Sequence, residues 1–197
     1  RVAQRGYAEY QRGFAHEVMT ISTGTSRTAV NQMFAAVDHH LATSPARTVE
    51  LYAPTDRQVA DFLRRPAAAG IRGLSVNATR EVIKALAASP HVRQLRSLLV
   101  GGELDERTAA VLAGADLPHL TDLSLQLAVD APRAITAVAA APWFQNLRVL
   151  RIGEHLGVPH LEALAAVPPM PDLHTLHLGD NRFEWVALRA LARSESF

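Results

Sequence analysis

The chain has 197 residues, 48% of them hydrophobic, with 20 lysines and arginines against 19 acidic residues and no cysteine. This length can bury a real core, and the charge balance argues against a dedicated nucleic-acid or polybasic membrane binder. The absence of cysteine excludes disulfides, thiolate metal sites and cysteine nucleophiles. No apolar run reaches the ~18 residues that a membrane-spanning helix needs.

Two features concern the origin of the chain. Lys84 is the only lysine and alanine is frequent, a bias that is typical of bacterial proteins from GC-rich genomes. The chain begins at Arg1 rather than at methionine, and no signal-peptide pattern follows. We therefore expect a cytoplasmic fragment of a longer bacterial protein.

The first 45 residues follow an irregular pattern. Residues 14–21 predict a strand, residues 23–26 a loop, and residues 29–41 a helix. In that helix Val30, Phe34 and Val37 are expected to point inward. We expect this segment to be an N-terminal cap or an irregular first unit.

From residue 46 onward one short pattern recurs: an apolar residue, two others, an apolar residue, one other, and an apolar residue. Such alternation is typical of a short strand. The starts lie 24 to 27 residues apart. The copies are Ala46, Val49, Leu51; Ile71, Leu74, Val76; Leu95, Leu98, Val100; Leu120, Leu123, Leu125; Leu147, Leu150, Ile152; and Leu173, Leu176, Leu178.

Each strand pattern is followed by apolar residues that recur three or four positions apart, the spacing of one face of a helix. These residues are Val59, Phe62, Leu63; Val82, Ile83, Leu86; Ala109, Val111, Leu112; Ile135, Val138, Ala139; Leu161, Leu164, Ala165; and Leu188, Leu191. Helix starts are predicted at Thr55 with Asp56, Asn77 or Thr79, Asp105 with Glu106, Asp130 with Pro132, Pro159, and Asp180 with Asn181. Prolines such as Pro66 and Pro142 are expected to end the helices. Six strand–helix units follow, with each strand parallel to the next.

Residues 173–181, LHTLHLGDN, resemble the LxxLxLxxN signature of the leucine-rich repeat family, in the helix-containing form of ribonuclease inhibitor. The other five units lack the asparagine and have Pro54, Thr79, Glu103, Ala128 and His155 instead. Residues 10–14, YQRGF, resemble the entry segment of bacterial members with a short companion domain. The resemblance implies an α/β leucine-rich-repeat solenoid over residues 46–197, with a parallel sheet on the concave side and helices on the convex side.

Side chains between the strand's apolar positions point out of the predicted core, because strand side chains alternate between two faces. The set is small and polar, neither an arginine-rich track nor an aromatic stacking platform. A plain solvated face is the alternative, but it would leave Leu99 and Val149 in water. The predicted partner-binding residues are Glu50, Tyr52, Asn77, Leu99, Asp122, Gln126, Val149, Arg151 and His177.

Charged residues are expected along the two rims of this array. A basic rim consists of Arg47, Arg72, Arg96 and Arg148, each directly after the first apolar position of its unit. Acidic residues such as Asp56, Asp105 and Glu106 lie at predicted helix starts, on the opposite rim. This arrangement complements the helix dipoles. Its functional interpretation is an acidic partner, or head-to-tail stacking of copies, on the basic rim.

No motif predicts catalysis, a cofactor or a metal. The chain has no phosphate loop, no GxGxxG and no GxSxG. Gly101 and Gly102 follow a strand and predict a tight exit toward the next helix. His174 and His177 would point to opposite faces of a strand, so they cannot chelate one ion.

We therefore expect a non-enzymatic scaffold that binds a protein partner on its concave sheet, with no cofactor and with neither nucleic acid nor membrane as its partner. One alternative is a structural or self-assembling segment, joined through the array ends or the charged rims. Another is a sensor or substrate-recruiting region of a larger enzyme.

Overall fold

A computed structural model of the chain describes residues 5–11, 14–22, 48–52, 55–153 and 156–179, and single residues 35, 38, 39, 41, 181, 189, 191, 192 and 194. Of residues 5–11, 14–22 and 50–52 it describes the backbone alone. Over this part of the chain the fold is α/β, with one eight-stranded sheet whose strands follow the order of the chain.

The first two strands are antiparallel, and every later neighbouring pair in the described sheet is parallel. The strands are β1 (Arg5–Gln11), β2 (Phe14–Ser22), β3 (Thr48–Tyr52), β4 (Gly73–Asn77), β5 (Ser97–Leu104), β6 (Asp122–Leu127), β7 (Val149–Gly153) and β8 (Thr175–His177). The parallel pairing of β3 to β8 confirms the prediction from the strand pattern.

A helix follows each strand from β3 to β7. The helices are α1 (Asp56–Leu63), α2 (Arg80–Ala88), α3 (Glu106–Ala113), α4 (Ala134–Ala139) and α5 (Val158–Ala165). Successive helices contact each other. Because each crossover leads directly to the adjacent strand, the helices form a second layer on one side of the sheet. Among the described residues, no helix is both long enough and apolar enough to cross a membrane.

The strand register matches the repeat pattern. The middle apolar residues of the six copies lie side by side on the face covered by the helices: Val49, Leu74, Leu98, Leu123, Leu150 and Leu176. The first five are at most 2% exposed. Leu176 on β8 is only partly buried, because no further strand of the described sheet lies beside it.

Backbone bonds hold the start of each strand in this register. The carbonyl of Arg72 accepts hydrogen bonds from the N–H groups of Arg96 and Ser97, at 2.7 and 3.0 Å. The same double acceptance recurs at Arg96, at Thr121 and at Arg148. The residues after the first apolar positions are therefore stacked in one column, as predicted.

Three predicted helix starts are confirmed by their N-caps. Thr55 and Gln58 form a reciprocal capping box at α1, with N···O distances of 3.4 and 2.9 Å. Thr79 caps α2, since its hydroxyl accepts from the backbone N–H of the third helical residue. Asp105 caps α3 by accepting from the Thr108 N–H at 2.6 Å. These side chains satisfy N–H groups that have no partner within the helix.

The predicted start at Asp130 and Pro132 is wrong. Two tight turns, from Ala131 N to Ala128 O and from Ala134 N to Ala131 O, occupy this stretch. Helix α4 begins only at Ala134, and no side chain caps it. Pro159 lies in the first turn of α5, as predicted.

Prolines end the helices as predicted. Helix α1 ends at Leu63, and Pro66 then opens a 3₁₀ turn, Pro66–Gly70. Helix α4 ends at Ala139, and Pro142 opens the turn Pro142–Asn146. Without proline at its start, the turn Val92–Gln94 precedes β5. After α1, α2 and α4, these turns lead the chain back to the sheet, where the next strand begins.

Polar side chains link three of the described units to the units before them. The Ser89 hydroxyl donates to Leu63 O at 2.5 Å, and Trp143 Nε1 donates to Ala115 O at 2.9 Å. Ser194 Oγ donates to Ala165 O at 2.7 Å. Each bond reaches a backbone carbonyl at the end of a helix or just beyond it.

Asn181 links the loops that follow β7 and β8. Its Oδ1 accepts from Leu156 N at 2.8 Å, and its Nδ2 lies 3.3 Å from Ile152 O and 3.0 Å from Leu178 O. It therefore bridges two units, and the helix start predicted at Asp180 and Asn181 stays a prediction, because residues 180 and 182–188 lie outside the described part of the chain. Where the asparagine is missing, backbone bonds such as Ala128 N to Leu104 O join the loops.

The N-terminal prediction is tested in part. Strand β2 confirms the strand expected at residues 14–21, and it pairs in parallel with β3. The loop at 23–26 and the side chains of Val30, Phe34 and Val37 lie outside the described residues. Residues 35, 38, 39 and 41 are helical, and Asp38 forms an ion pair with Arg65, two residues after α1.

Candidate interaction surface

The sheet face turned away from the helices, here called the open face, carries residues that alternate with the buried ones. One row is in register across the strands and consists of Glu50, Ser75, Leu99, Ser124, Arg151 and His177. Leu99 is 42% exposed, and Arg151 and His177 are also exposed. An apolar side chain, a hydroxyl and a cation therefore lie on three successive strands.

A hollow of about 270 Å³ lies on the open face over β5 to β8. Leu99 borders it on β5, and Arg151 and His177 border it on β7 and β8. Ser124 on β6, between Leu99 and Arg151, forms its floor. A small residue between two large ones creates the depression.

Three glycines deepen this hollow, although their backbone conformations do not require glycine. Gly101, Gly153 and Gly179 line it, and none of them has a positive φ. A Cβ added at Gly153 would meet no atom within 4 Å. A Cβ at Gly179 would lie 3.9 Å from His177 Nδ1, so the imidazole lies beside that glycine. The glycines thus leave space that other residues could fill.

Gly102 does need its conformational freedom. Its φ of 80° lies in the left-handed region that favours glycine. This turn directs the Gly102 N–H to Gln126 Oε1, at 2.9 Å, and the strand register shifts between Val100 and Leu104. The tight exit predicted here is wrong, because Gly101 and Gly102 lie inside β5, where the register shift marks a bulge. The bond from Gly102 holds the Gln126 side chain at the border of the hollow.

Among the described residues that line the hollow, Arg151 carries the formal charge. Arg151 makes no ion pair or hydrogen bond with a described residue, so its guanidinium is available to a ligand. Asp122 lies on the same face but outside the lining, and its carboxylate accepts from the Thr121 hydroxyl at 2.8 Å. The hollow therefore combines one cation with an apolar wall.

The basic rim is stacked as predicted, but part of it serves the fold. Arg72 donates to the carbonyls of Ala69 and Ile71, at 3.3 and 3.2 Å. Arg96 and Arg148 are exposed, and their guanidinium groups make no ion pair or hydrogen bond with a described residue. Arg47 lies outside the described residues.

Acidic residues occupy the N-termini of α1, α2 and α3, whereas the first turns of α4 and α5 have none. Asp56 and Glu106 lie in the first turns of α1 and α3, and Asp105 caps α3. The hydrogen bond from the Thr108 backbone N–H lowers the pKa of Asp105 below its ordinary 3.8, and the Thr108 hydroxyl adds to the effect. Negative charge at these positions interacts favourably with the positive ends of the helix dipoles and stabilises the helices.

The buried histidine has a structural explanation. His160 is 4% exposed, its Nδ1 accepts from Gly157 N at 3.2 Å, and its Nε2 lies 3.1 Å from Ala128 O. Both ring nitrogens are thus used by the backbone of two units. Within the described ranges, no three His, Asp or Glu side chains are placed to hold a metal ion.

The structure brings some of the predicted binding residues together and separates others. Leu99, Gln126, Arg151 and His177 line the hollow. Three others, Asn77, Asp122 and Val149, lie on the open face outside its lining. Glu50 and Tyr52 belong to β3, and their side chains lie outside the described part of the chain.

Sequence reasoning missed the residues that make the hollow. Ser124, Gly153 and Gly179 matter through the volume that they leave empty. The available signal was the glycine two positions after each of Leu99, Arg151 and His177, together with the small Ser124 on the strand between Leu99 and Arg151.

No protein-family model and no curated protein matches the chain.

Proposed function

We propose that the chain is a leucine-rich-repeat solenoid that binds an extended segment of a protein partner on the open face of β5 to β8, without chemistry of its own. Six strand–helix patterns at 24 to 27 residues support the family assignment. So does Asn181 at the ninth position of the signature, since its side chain bridges two units.

The observation that carries the binding proposal is the hollow beside Leu99 and Arg151. Leu99 is 42% exposed, and Arg151, two strands away, makes no ion pair or hydrogen bond with a described residue. A single exposed leucine is common on protein surfaces, so the proposal depends on the apolar side chain, the cation and the hollow together. Arginine is enriched at the centre of protein interfaces. The strands beneath are paired on both sides through β7, so a ligand meets a preorganised surface at low entropic cost.

The basic rim is a weaker candidate for the binding surface. Arg72 donates to nearby carbonyls, and Arg93 pairs with Asp116 at 2.9 Å. Part of the positive charge is therefore already compensated within the chain. Exposed rim charges mainly affect association rates and contribute little to affinity.

A test of this function is to fill the hollow. In Gly153→Leu the new side chain enters open space on the open face, so the fold should be kept. Ser97→Leu adds the same side chain to the open face outside the lining and is the matched control. A random peptide display library is panned against the unmodified chain and both variants, and thermal unfolding of each is recorded.

We expect peptides to be enriched on the unmodified chain and on Ser97→Leu, and enrichment to be lost on Gly153→Leu at an unchanged melting temperature. Equal enrichment on all three proteins would move the binding surface elsewhere. A lack of enrichment on the unmodified chain would reject peptide binding by this face.

A further inference from the structure

The backbone under the hollow can offer little to a ligand. The N–H and C=O groups of β6 and β7 are used in the ladders to β5, β6, β7 and β8. Recognition at a sheet face must therefore come from the side chains that stand on it. Here these are an aliphatic group at Leu99, a hydroxyl at Ser124, a guanidinium at Arg151 and an imidazole at His177.

The guanidinium of Arg151 selects the charge of the ligand. Its planar group of N–H donors matches a carboxylate in a bidentate geometry. Phosphate recognition in proteins usually employs clusters of arginines, whereas a single arginine lines this hollow. A single carboxylate, with one negative charge, therefore fits better than a phosphate.

The exposed side chain of Leu99 favours a ligand that also carries an apolar group. It lies two strands from Arg151, with Ser124 on the strand between them. Adjacent strands are about 4.8 Å apart, so the two side chains start about 10 Å from each other. A ligand that contacts both must therefore carry an apolar group some distance from its carboxylate.

An extended peptide meets this requirement. Alternate side chains on one side of an extended chain lie about 6.7 Å apart. The long arginine side chain can lean toward Ser124 and shorten the remaining distance. The glycines at 101 and 153 leave room for a peptide backbone close to the sheet.

We infer that the hollow binds an extended acidic peptide, in which an aspartate or glutamate on Arg151 lies two residues from an aliphatic side chain on Leu99. This inference rests on the proposed function and specifies its ligand. A neutral, basic or phosphorylated peptide would lack the match in charge or in shape.

Charge reversal tests the inference. The same display library is panned against the unmodified chain, against Arg151→Glu, and against Arg148→Glu, which makes the same charge change on the rim outside the hollow. We expect peptides from the unmodified chain and from Arg148→Glu to share an acidic residue two positions from an aliphatic one. Peptides from Arg151→Glu should carry lysine or arginine at the acidic position.

A selected peptide is then compared with its own glutamine version by fluorescence anisotropy, with both termini blocked. Removing the carboxylate should raise the Kd about two- to five-fold, since the ion pair is partly exposed. The difference should shrink as salt is added. On Arg151→Gln the two peptides should bind equally.

The outcomes separate the inference from the function beneath it. Peptides that are blocked by Gly153→Leu but show no acidic preference would overturn the inference and leave the binding face intact. The same peptides enriched on Arg151→Glu and on the unmodified chain would overturn it as well. If no peptide is enriched on the unmodified chain, both fail together.

Discussion

The two faces of the same strands differ in how tightly their residues are constrained. On the covered face the same residue type recurs at one position of each strand, and each copy is at most 2% exposed: Leu74, Leu98, Leu123 and Leu150. On the open face, the neighbours Ser75, Leu99, Ser124 and Arg151 differ in size, polarity and charge. Packing dictates one face at every unit, whereas the other is free to carry recognition. Substitutions on the two faces should therefore separate stability from binding.

The largest expected effect lies on the covered face. Leu123→Ala empties a fully buried position and should lower the free energy of unfolding by about 2–5 kcal/mol. The neighbouring Ser124→Ala, on the open face, should change it by less than about 0.5 kcal/mol. Urea denaturation of both variants checks the pair. A loss below about 1 kcal/mol for Leu123→Ala would contradict its burial.

The strand ends allow a sharper comparison. Asn181 and Glu103 occupy the same position of their units, but only the asparagine is seen to bridge two loops. Asn181→Ala leaves polar backbone groups of Leu156 and Ile152 without this partner and should cost about 1–3 kcal/mol. Glu103→Ala should stay within about 0.5 kcal/mol. Equal effects in denaturation would show that the bridge stabilises nothing.

A smaller effect is expected at the cap of α3. Asp105→Ala should cost about 1 kcal/mol at neutral pH, whereas Asp105→Asn should retain most of the cap. Because the folded-state pKa of Asp105 is lowered, its contribution is present above the ordinary value of 3.8 and is lost as the pH falls through the lowered pKa.

The cap can be checked by unfolding at pH 7 and pH 3. The unmodified chain should lose stability relative to Asp105→Asn at the lower pH. If the difference between the two proteins is the same at both pH values, the carboxylate has no such role.

The smallest effect on stability belongs to the open face. Arg151→Gln should shift the free energy of unfolding by no more than about 0.5 kcal/mol, because the guanidinium is exposed and has no described partner. A thermal melt measures this directly. A loss above about 1 kcal/mol would mean that Arg151 serves packing, and the division between the two faces would not hold.

Much of the fold was predictable because it depends on local periodicity. The spacing of apolar residues predicts the strand register, and Thr55, Thr79 and Asp105 mark three helix starts. The start at α4 was missed because two consecutive turns, closed by the N–H groups of Ala131 and Ala134, precede the helix, which begins only after them.

The site was predictable only in its large residues. Alternation along the strands predicts that Leu99 and Arg151 share a face, since it depends on the two-residue period alone. The depth of the hollow depends on the empty volume above Gly153, which a one-dimensional pattern does not contain. The role of Asn181 as a bridge likewise depends on which loop comes to lie beside it.

The most direct test of the central claim is a chemical-shift map of the isotopically labelled chain with a selected acidic peptide. The claim that the open face binds the partner predicts the largest amide shifts at Gly101, Ser124, Arg151 and Gly153, around the hollow. Largest shifts on the helices, or along Arg72, Arg96 and Arg148, would contradict it.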